Sequence, residues 1–188
     1  MYILGINGSP RTGGNTDILL DKVLEGAKGR GAGVEKVILN TLKFVPCQEC
    51  AKVRNDGTCQ IMDDMQPLYK KIEEADVIVV ASPIFFGSLS AQTKMMIDRF
   101  QCAWRGKYML EVDIFSKKKT GAFISVEGSK RKDFFDNAKS IVKNLFATIN
   151  AEYKYELFCP GIDEKAEIIK SREYLEMAAK LGEKLVSG

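Results

Sequence analysis

A polar turn near the start of the chain has the chemical groups that bind a phosphate. It follows the apolar residues 2–7 and precedes a helix predicted from about Asn15. Its hydroxyl, guanidinium, carboxamide and glycine residues are Ser9, Thr12, Thr16, Arg11, Asn15, Gly8, Gly13 and Gly14. Unpaired N–H groups and the helix dipole favour an anion at a helix N-terminus, and Arg11 adds a charge-assisted hydrogen bond. The alternative is an ordinary turn with Asn15 or Thr16 as the N-cap, but so many anion-binding groups in one turn favour phosphate.

A second stretch has the composition of a platform for a flat apolar ring. Residues 83–88, Pro-Ile-Phe-Phe-Gly-Ser, place three large apolar side chains directly after a predicted strand, where side chains usually face water. Such a platform can pack against a planar ring while its N–H groups contact the polar edge. The alternative is a loop folded onto the core. An anion cradle and an apolar slot together suit a phosphorylated flat cofactor, and FMN fits that description.

Strand and helix patterns alternate along the chain, which predicts an α/β fold. Apolar runs indicate strands covered on both faces, and apolar stripes at helical spacing lie between them. The predicted strands are 2–7, 34–39, 75–82, 120–126 and 151–158. The predicted helices begin near residue 15 and residue 63 or 64, and then cover about 90–100, 131–149 and 163–185. Residues 101–117 are expected to be a loop or excursion with a short element.

This order of elements predicts a single domain over residues 1–188. We expect a flavodoxin-like three-layer sandwich, a five-stranded parallel sheet in the order 2-1-3-4-5 with helices on both faces. Ligands on such sheets bind beyond the carboxyl ends of the strands. Three loops with ligand-like composition leave those ends, at 8–15, 82–88 and 127–129. We therefore expect all three loops to converge on one site.

Composition and charge exclude several classes of function. Hydrophobic residues make up 45% of the 188 residues and the net charge is +3, with basic and acidic residues interleaved, which argues against a nucleic-acid interface. No apolar run reaches membrane-spanning length. The absence of histidine excludes Ser-His-Asp and Cys-His catalysis and His-ligated metals. An odd number of cysteines, five, and no basic segment before the first strand predict a cytoplasmic protein without a signal peptide.

The two ligand-like stretches resemble the NADPH-dependent FMN reductase family. The first loop matches neither the G-x-G-x-x-G nor the G-x-x-x-x-G-K-[ST] pattern of nucleotide-binding loops. Instead, Asn-Gly-Ser-Pro-Arg at 7–11 with Gly-Asn-Thr at 14–16 is similar to the family's phosphate loop. Ser-Pro-Ile-Phe-Phe-Gly-Ser at 82–88, with Ala-Gln-Thr-Lys at 91–94 and Ile-Asp-Arg at 97–99, is similar to its flavin-ring loop and following helix.

The resemblance implies a set of cofactor-binding residues and a reaction. The implied phosphate ligands are Ser9, Arg11, Asn15 and Thr16. The implied ring ligands are Pro83, Ile84, Phe85, Phe86, Gly87, Ser88, Ser125, Glu127 and Gly128. FMN would supply the redox chemistry, so no side chain need act as a catalytic acid or base. The resemblance further implies NAD(P)H as a possible donor, a small-molecule or protein electron acceptor, and a homo-oligomer, either a dimer or a tetramer.

A cysteine-bearing segment is similar to the iron–sulfur flavoprotein branch of that family. Pro-Cys-Gln-Glu-Cys at 46–50 and Gly-Thr-Cys at 57–59 give three candidate metal ligands, Cys47, Cys50 and Cys59. Val53 stands where the branch has a further cysteine, and a four-iron cluster normally needs four thiolates. Cys102 or Cys159 would complete the set only if the fold brings one of them near. Zinc, or free thiols without any metal, are the alternatives.

The sequence therefore favours an FMN-dependent NAD(P)H oxidoreductase and leaves two alternatives open. One is an electron-transfer flavoprotein with a metal centre at Cys47, Cys50 and Cys59, supplied by ferredoxin rather than NAD(P)H. The other is a non-catalytic flavin-binding regulator.

Overall fold

The computed structural model describes residues 1–50 and 55–187, apart from the side chain of Lys132. The strands are β1 (Tyr2–Asn7), β2 (Gly33–Ile38), β3 (Val77–Phe85), β4 (Ser88–Leu89), β5 (Lys119–Glu127) and β6 (Ala151–Pro160). The helices are α1 (Asn15–Gly29), α2 (Met65–Glu74), α3 (Ala91–Asp98), α4 (Gln101–Met109), α5 (Lys132–Thr148) and α6 (Arg172–Ser187). Short 3₁₀ turns lie at Leu39–Thr41 and Glu167–Lys170. Val53, where the iron–sulfur branch has a cysteine, lies outside the described residues.

One sheet organises the described chain. Its path is β2-β1-β3-β5-β6 with every pair parallel, which confirms the predicted flavodoxin-like order. The sheet has six strands rather than five, because the two-residue strand β4 pairs antiparallel with the end of β3. Residues 83–88, predicted as a loop, therefore form the end of a strand and a tight hairpin.

Helices cover both faces of this sheet, as predicted. Successive strand side chains point to opposite faces, so Ile3 packs with apolar residues of α1 and α6, whereas Leu4 packs with those of α2 and α5. Helices α1 and α6 approach each other closely, because a Cβ on Gly182 would lie 1.9 Å from the Val23 carbonyl oxygen. This packing holds the amino end of α1 firmly beside β1.

Residues 101–117 contain a longer helix than the expected short element. The buried residues of α4 are Ala103 and Gly106, and this pair does not produce a broad apolar stripe in the sequence. Gly106 packs against the backbone of Gly57, where a Cβ would come within 2.8 Å of the Gly57 Cα. Helix α4 is therefore positioned by a close backbone contact that hydrophobic spacing does not reveal.

The final helix begins at Arg172, not near residue 163 as predicted. Ala166 has a left-handed backbone with φ of 61°, which interrupts a helix. The Glu167 carboxylate accepts hydrogen bonds from the N–H groups of Asp163 and Glu164 at 2.9 and 3.0 Å. These contacts fold residues 163–167 into a turn beside the sheet edge, so this segment is unavailable to the helix. No described helix is both long enough and apolar enough to cross a membrane.

Candidate functional site

A cleft lies at the carboxyl edge of the parallel sheet, where loops after β1, β3, β5 and β6 meet. Its lining residues are Ser9, Arg11, Gly14, Asn15, Thr16, Pro83, Ile84, Phe85, Val126, Glu127, Gly128, Ile162 and Asp163. The structure therefore brings together nine of the thirteen residues that the sequence implicates in cofactor binding. Of the other four, Phe86, Gly87 and Ser88 form the hairpin beyond the lining, and Ser125 is fully buried beneath it. Thr12 is exposed outside the lining.

The phosphate-like end of the cleft is the amino end of α1. The N-cap is Gly14, and in this described segment no side chain caps the helix. The capping alternative for Asn15 or Thr16 is therefore wrong, and first-turn N–H groups remain available to a ligand. Gly13 has φ of 66°, a conformation that favours glycine.

Two buried residues shape this turn. Asp17 accepts hydrogen bonds from the Asn7 side chain and from the Gly13 N–H, both at 2.8 Å, and pairs with Lys36 at 2.9 Å. Asn7 in turn accepts the Ser9 N–H at 2.9 Å. Asp17 was expected on the exposed side of α1, but it is buried because it fastens the turn. Lys36 balances its charge, which reduces repulsion of an anion at the same helix end.

A hydroxyl network joins the ends of β1 and β3 beneath the cleft. Ser90 is the N-cap of α3, and its Oγ donates to the Gly8 carbonyl oxygen at 2.6 Å. The Ser82 Oγ accepts the Ser90 N–H at 3.1 Å, and Ser125 donates to the Ser82 carbonyl at 2.8 Å. A Cβ on Gly8 would lie 1.8 Å from the Thr93 Oγ1, so only glycine fits there. Ser125 thus contributes to the support of the cleft rather than to its lining.

The fourth loop of the cleft, after β6, is attached to the phosphate-like turn. Asn15 donates to the Glu164 carbonyl at 2.9 Å and accepts the Ile168 N–H at 3.1 Å. Arg11 is exposed and donates to the Asp163 carbonyl at 3.4 Å. Because the Asn15 carboxamide already has partners at both ends, its contribution to an anion is limited to its backbone N–H. The Arg11 guanidinium retains donors for a ligand.

The apolar wall of the cleft ends in a strained turn. Phe85 pairs with Ser88 across a two-residue hairpin whose central residues, Phe86 and Gly87, both have positive φ, 51° and 73°. Gly87 suits that conformation, whereas a bulky residue such as Phe86 rarely adopts it. The Phe86 ring is fully exposed at the tip, and Pro83 and Phe85 line the cleft.

Glu127 supplies a carboxylate oxygen without a partner. Its side chain is 3% exposed, and Oε1 accepts the Ser129 hydroxyl at 3.1 Å. Oε2 is buried without a hydrogen-bond partner among the described residues. Buried polar atoms nearly always have partners, so an unpaired acceptor in a cleft points to a donor on a ligand. Gly128 lies against Asp163, where a Cβ would come within 2.9 Å of the carboxyl group.

A separate cavity collects the cysteine-bearing segment. We call it the cysteine cavity; it is lined by Cys47, Cys50, Cys59, Cys102 and Arg99, among other residues. In residues 1–50 and 55–187, no three Cys, Asp or Glu side chains are placed to hold a metal ion. The described thiols therefore do not fit an iron–sulfur cluster in this arrangement. Cys159 is buried in the core on the α1 and α6 face, so it is not near the other four.

Arg99 holds the cysteine cavity together. Its guanidinium is fully buried and bonds Asp63 at 2.6 and 3.1 Å, the Val45 carbonyl at 2.9 Å and the Cys59 sulfur at 3.3 Å. Burial raises the pKa of the Asp63 carboxyl, but hydrogen bonds from Arg99 and the N–H groups of Val45 and Met65 outweigh burial and hold this pKa below its usual range. The pair is therefore ionised at neutral pH.

Sequence reasoning missed three lining residues and the role of one arginine. Val126, Ile162 and Asp163 line the cleft although only three loops were expected there. The Pro-Gly at 160–161 follows the last strand, and the same rule about carboxyl strand ends applied to it would have indicated this loop. No local signal indicates that Arg99 is buried against Asp63.

Comparisons with known proteins agree with this architecture. The family model described as NADPH-dependent FMN reductase matches residues 1–138. An iron–sulfur flavoprotein of Methanosarcina thermophila is 38% identical over 130 residues, a match that covers 69% of this chain and 65% of the relative. A putative NAD(P)H-dependent FMN-containing oxidoreductase of Bacillus subtilis, YwqN, is 23% identical over 181 residues, which cover 96% of each chain.

One solved structure extends the comparison to the whole chain. A protein described as flavone reductase superposes with a TM-score of 0.78 and 25% identity, and the match covers 100% of this chain and 62% of that one. The chain therefore spans less than two thirds of the length of this structure and of the Methanosarcina relative.

Proposed function

Because the chain belongs to the NADPH-dependent FMN reductase family, we propose that its cleft binds FMN and that it is an FMN-dependent NAD(P)H oxidoreductase. One observation carries this proposal: an uncapped helix N-terminus, an apolar wall and an unpaired carboxylate oxygen line a single cleft at the carboxyl edge of the sheet. Bound FMN would supply the redox chemistry. The protein supplies binding and orientation.

The FMN phosphate belongs at the amino end of α1. The N–H groups of the first turn accept an anion without losing any intrahelical hydrogen bond. Ser9, buried with its N–H bound to Asn7, positions its hydroxyl beside Arg11, whose N–H donates to the Ser9 Oγ at 3.2 Å. Arg11 adds a guanidinium at the exposed side. The turn is already folded around Asp17, so little ordering is needed when the phosphate binds.

The flavin ring and ribityl chain belong between the hairpin and the loop after β5. Pro83 and Phe85 offer apolar surface to a ring, and Phe86 extends that surface at the tip. The Glu127 Oε2 would accept a hydrogen bond from a ribityl hydroxyl or a ring N–H, which satisfies its missing partner. The chain lacks histidine, so we assign no side chain as proton donor or acceptor.

Other expectations from the resemblance stay predictions. They are a small-molecule or protein electron acceptor, and assembly into a dimer or tetramer. The exposed Trp104 and Tyr108 on α4, whose ring centroids are 5.8 Å apart, form an aromatic surface suited to a subunit contact.

The test is an absorption spectrum of the purified protein, an FMN titration and anaerobic addition of NADH or NADPH. We expect a flavin spectrum or stoichiometric uptake of FMN, and bleaching of the bound flavin by at least one nucleotide. A protein that is colourless and takes up no FMN would contradict the binding proposal. FMN binding without bleaching by either nucleotide would contradict the NAD(P)H reductase. Iron with acid-labile sulfide would then indicate the metal-containing electron-transfer flavoprotein, and their absence with no turnover would indicate a flavin-binding regulator.

A further inference from the structure

Two thiols in the cysteine cavity contact the same arginine. The Cys59 sulfur accepts a hydrogen bond from the Arg99 Nη2 at 3.3 Å, and the Cys102 thiol donates to the Arg99 carbonyl oxygen at 3.5 Å. A side-chain hydrogen bond also joins Cys59 and Cys102. The two sulfurs therefore lie next to each other, although one is in the segment before α2 and the other is in the first turn of α4.

Both thiols are accessible to a small reagent. Cys59 and Cys102 are partly exposed, and both line the cysteine cavity as well as a second cavity bounded by Tyr69. Cys159, by contrast, is fully buried in the core. A small molecule that enters the cysteine cavity therefore meets the Cys59 and Cys102 sulfurs together.

The two sulfurs differ in their electrostatic surroundings. Arg99 places its positive charge against the Cys59 sulfur, which stabilises negative charge there and promotes attack as a thiolate. Burial, and then negative charge on Cys59, raise the pKa of Cys102 to about 12. The contribution of Cys59 disappears once its sulfur is covalently bound in a mixed disulfide. Cys102 thus remains a thiol until Cys59 has reacted, which sets an order for two successive steps.

We propose that Cys59 and Cys102 form a redox-active dithiol that exchanges with small disulfides such as glutathione disulfide. The Cys59 thiolate attacks one sulfur of the small disulfide, whose S–S bond breaks, and the first small thiol leaves after taking a proton. Cys102 then loses its proton, its sulfur attacks the Cys59 sulfur, and the second small thiol leaves. The protein dithiol is oxidised by two electrons to one disulfide, and the small disulfide is reduced to two thiols. Excess small thiol reverses both steps.

Cys47 and Cys50 line the same cavity but lack this arrangement. The Cys47 sulfur accepts the N–H of Glu49 at 3.5 Å, a contact within its own loop. No arginine or lysine contact to either sulfur is seen among the described residues. Cys47 and Cys50 therefore serve as matched controls for the reactive pair, since they share the cavity and the type of side chain.

The test treats the reduced, full-length chain with glutathione disulfide, alkylates the remaining thiols and maps the peptides by mass spectrometry. We expect the chain to lose two of its five thiols and to yield one cross-linked peptide pair containing Cys59 and Cys102. Dithiothreitol should restore both thiols. C47S and C50S should form the same disulfide as the unmodified chain.

Two variants separate the successive steps. In C102S, glutathione should accumulate on Cys59, because no second thiol releases it. In C59S, Cys102 should stay unmodified, because it lacks a guanidinium contact. If C59S is not recovered as a folded protein, the C102S adduct decides the assignment.

Three results would overturn the proposal. The first is a disulfide that pairs Cys47 with Cys50 or with Cys59. The second is full alkylation of Cys59 and Cys102 after exposure to excess glutathione disulfide. The third is stoichiometric zinc or iron in the purified protein that shields both thiols from glutathione disulfide, since this would make them metal ligands.

Discussion

Helix α3 has a different kind of site at each end. Ser90 at its N-terminus belongs to the hydroxyl network beneath the cleft, and Arg99, the residue after its last helical position, lies in the cysteine cavity about 12 Å away along the helix axis. The cleft is built from loops that follow parallel strands. The cysteine cavity is held by one buried guanidinium that binds Asp63, the Val45 carbonyl and the Cys59 sulfur.

The difference lies in what fixes each site. The sheet sets the position of the cleft, because the hydrogen-bonded ends of β1 and β3 carry the loops. Loss of one side chain there removes one contact with a ligand. In the cysteine cavity, a single side chain joins segments that no strand pairing connects, so its loss removes the whole arrangement. The predictions below test this difference.

The largest effect is expected from Arg99→Met. The substitution leaves the Asp63 carboxylate without its cation, and breaking a buried pair in this way costs about 3–5 kcal/mol. Urea unfolding monitored by circular dichroism measures the loss. FMN affinity should change by less than about threefold, since no lining residue of the cleft is altered.

Asp63→Asn is the companion variant, because it keeps the size of the side chain and removes the charge from the other partner. We expect a smaller loss of stability, since the carboxamide still accepts from Arg99. Destabilisation of less than about 1 kcal/mol in Arg99→Met, or an equal loss of FMN affinity, would contradict the separate construction of the two sites.

Arg11→Ala is expected to weaken FMN binding and to leave the fold intact. Arg11 is exposed, and a hydrogen bond to a charged group contributes about 2 kcal/mol, so the dissociation constant should rise about 30-fold. Fluorescence titration with FMN and with riboflavin separates the causes. Because Arg11 faces the phosphate position, riboflavin affinity should stay unchanged.

Arg172→Ala provides the matched control for Arg11→Ala. Arg172 is an exposed arginine on α6 that pairs with Glu176 at 2.7 Å, outside the lining of the cleft. Its removal should leave both affinities unchanged. If Arg11→Ala loses riboflavin affinity as strongly as FMN affinity, the assignment of the phosphate to this end of the cleft is wrong.

The contrast between the two sites also explains what the sequence could predict. The phosphate-like turn and the strand order are encoded locally, by a buried strand, a glycine-rich turn and a helical stripe in succession. The rule that ligands bind at carboxyl strand ends then brings Ser9, Pro83 and Glu127 together without any knowledge of side-chain contacts. Accordingly, nine of the thirteen proposed binding residues line one cleft.

The features that escaped prediction depend on pairs distant in sequence. The Asn15 carboxamide is bound to the backbone of Ile168, which no local pattern at either position indicates. Arg99 looks like a polar residue at a helix end, and only its contact with Asp63 explains why it is buried. Phe86 looks like part of an apolar loop, because its sequence lacks the Asn-Gly or Asp-Gly typical of two-residue hairpins.

The smallest effect, and one of opposite sign, is expected at Phe86 on the rim of the cleft. Its left-handed backbone, with φ of 51°, costs about 1 kcal/mol for a bulky residue, whereas asparagine adopts it readily. Phe86→Asn should therefore increase the free energy of unfolding by about 1 kcal/mol, measured by urea unfolding. Phe86→Ala removes the ring but not the preference against positive φ, so it should give little or no gain. Both variants should weaken FMN binding similarly if the ring covers the flavin. Equal stability of the two variants would show that the turn is unstrained, and the rim of the cleft would then resemble the cysteine cavity in having its side chains already at ease without a ligand.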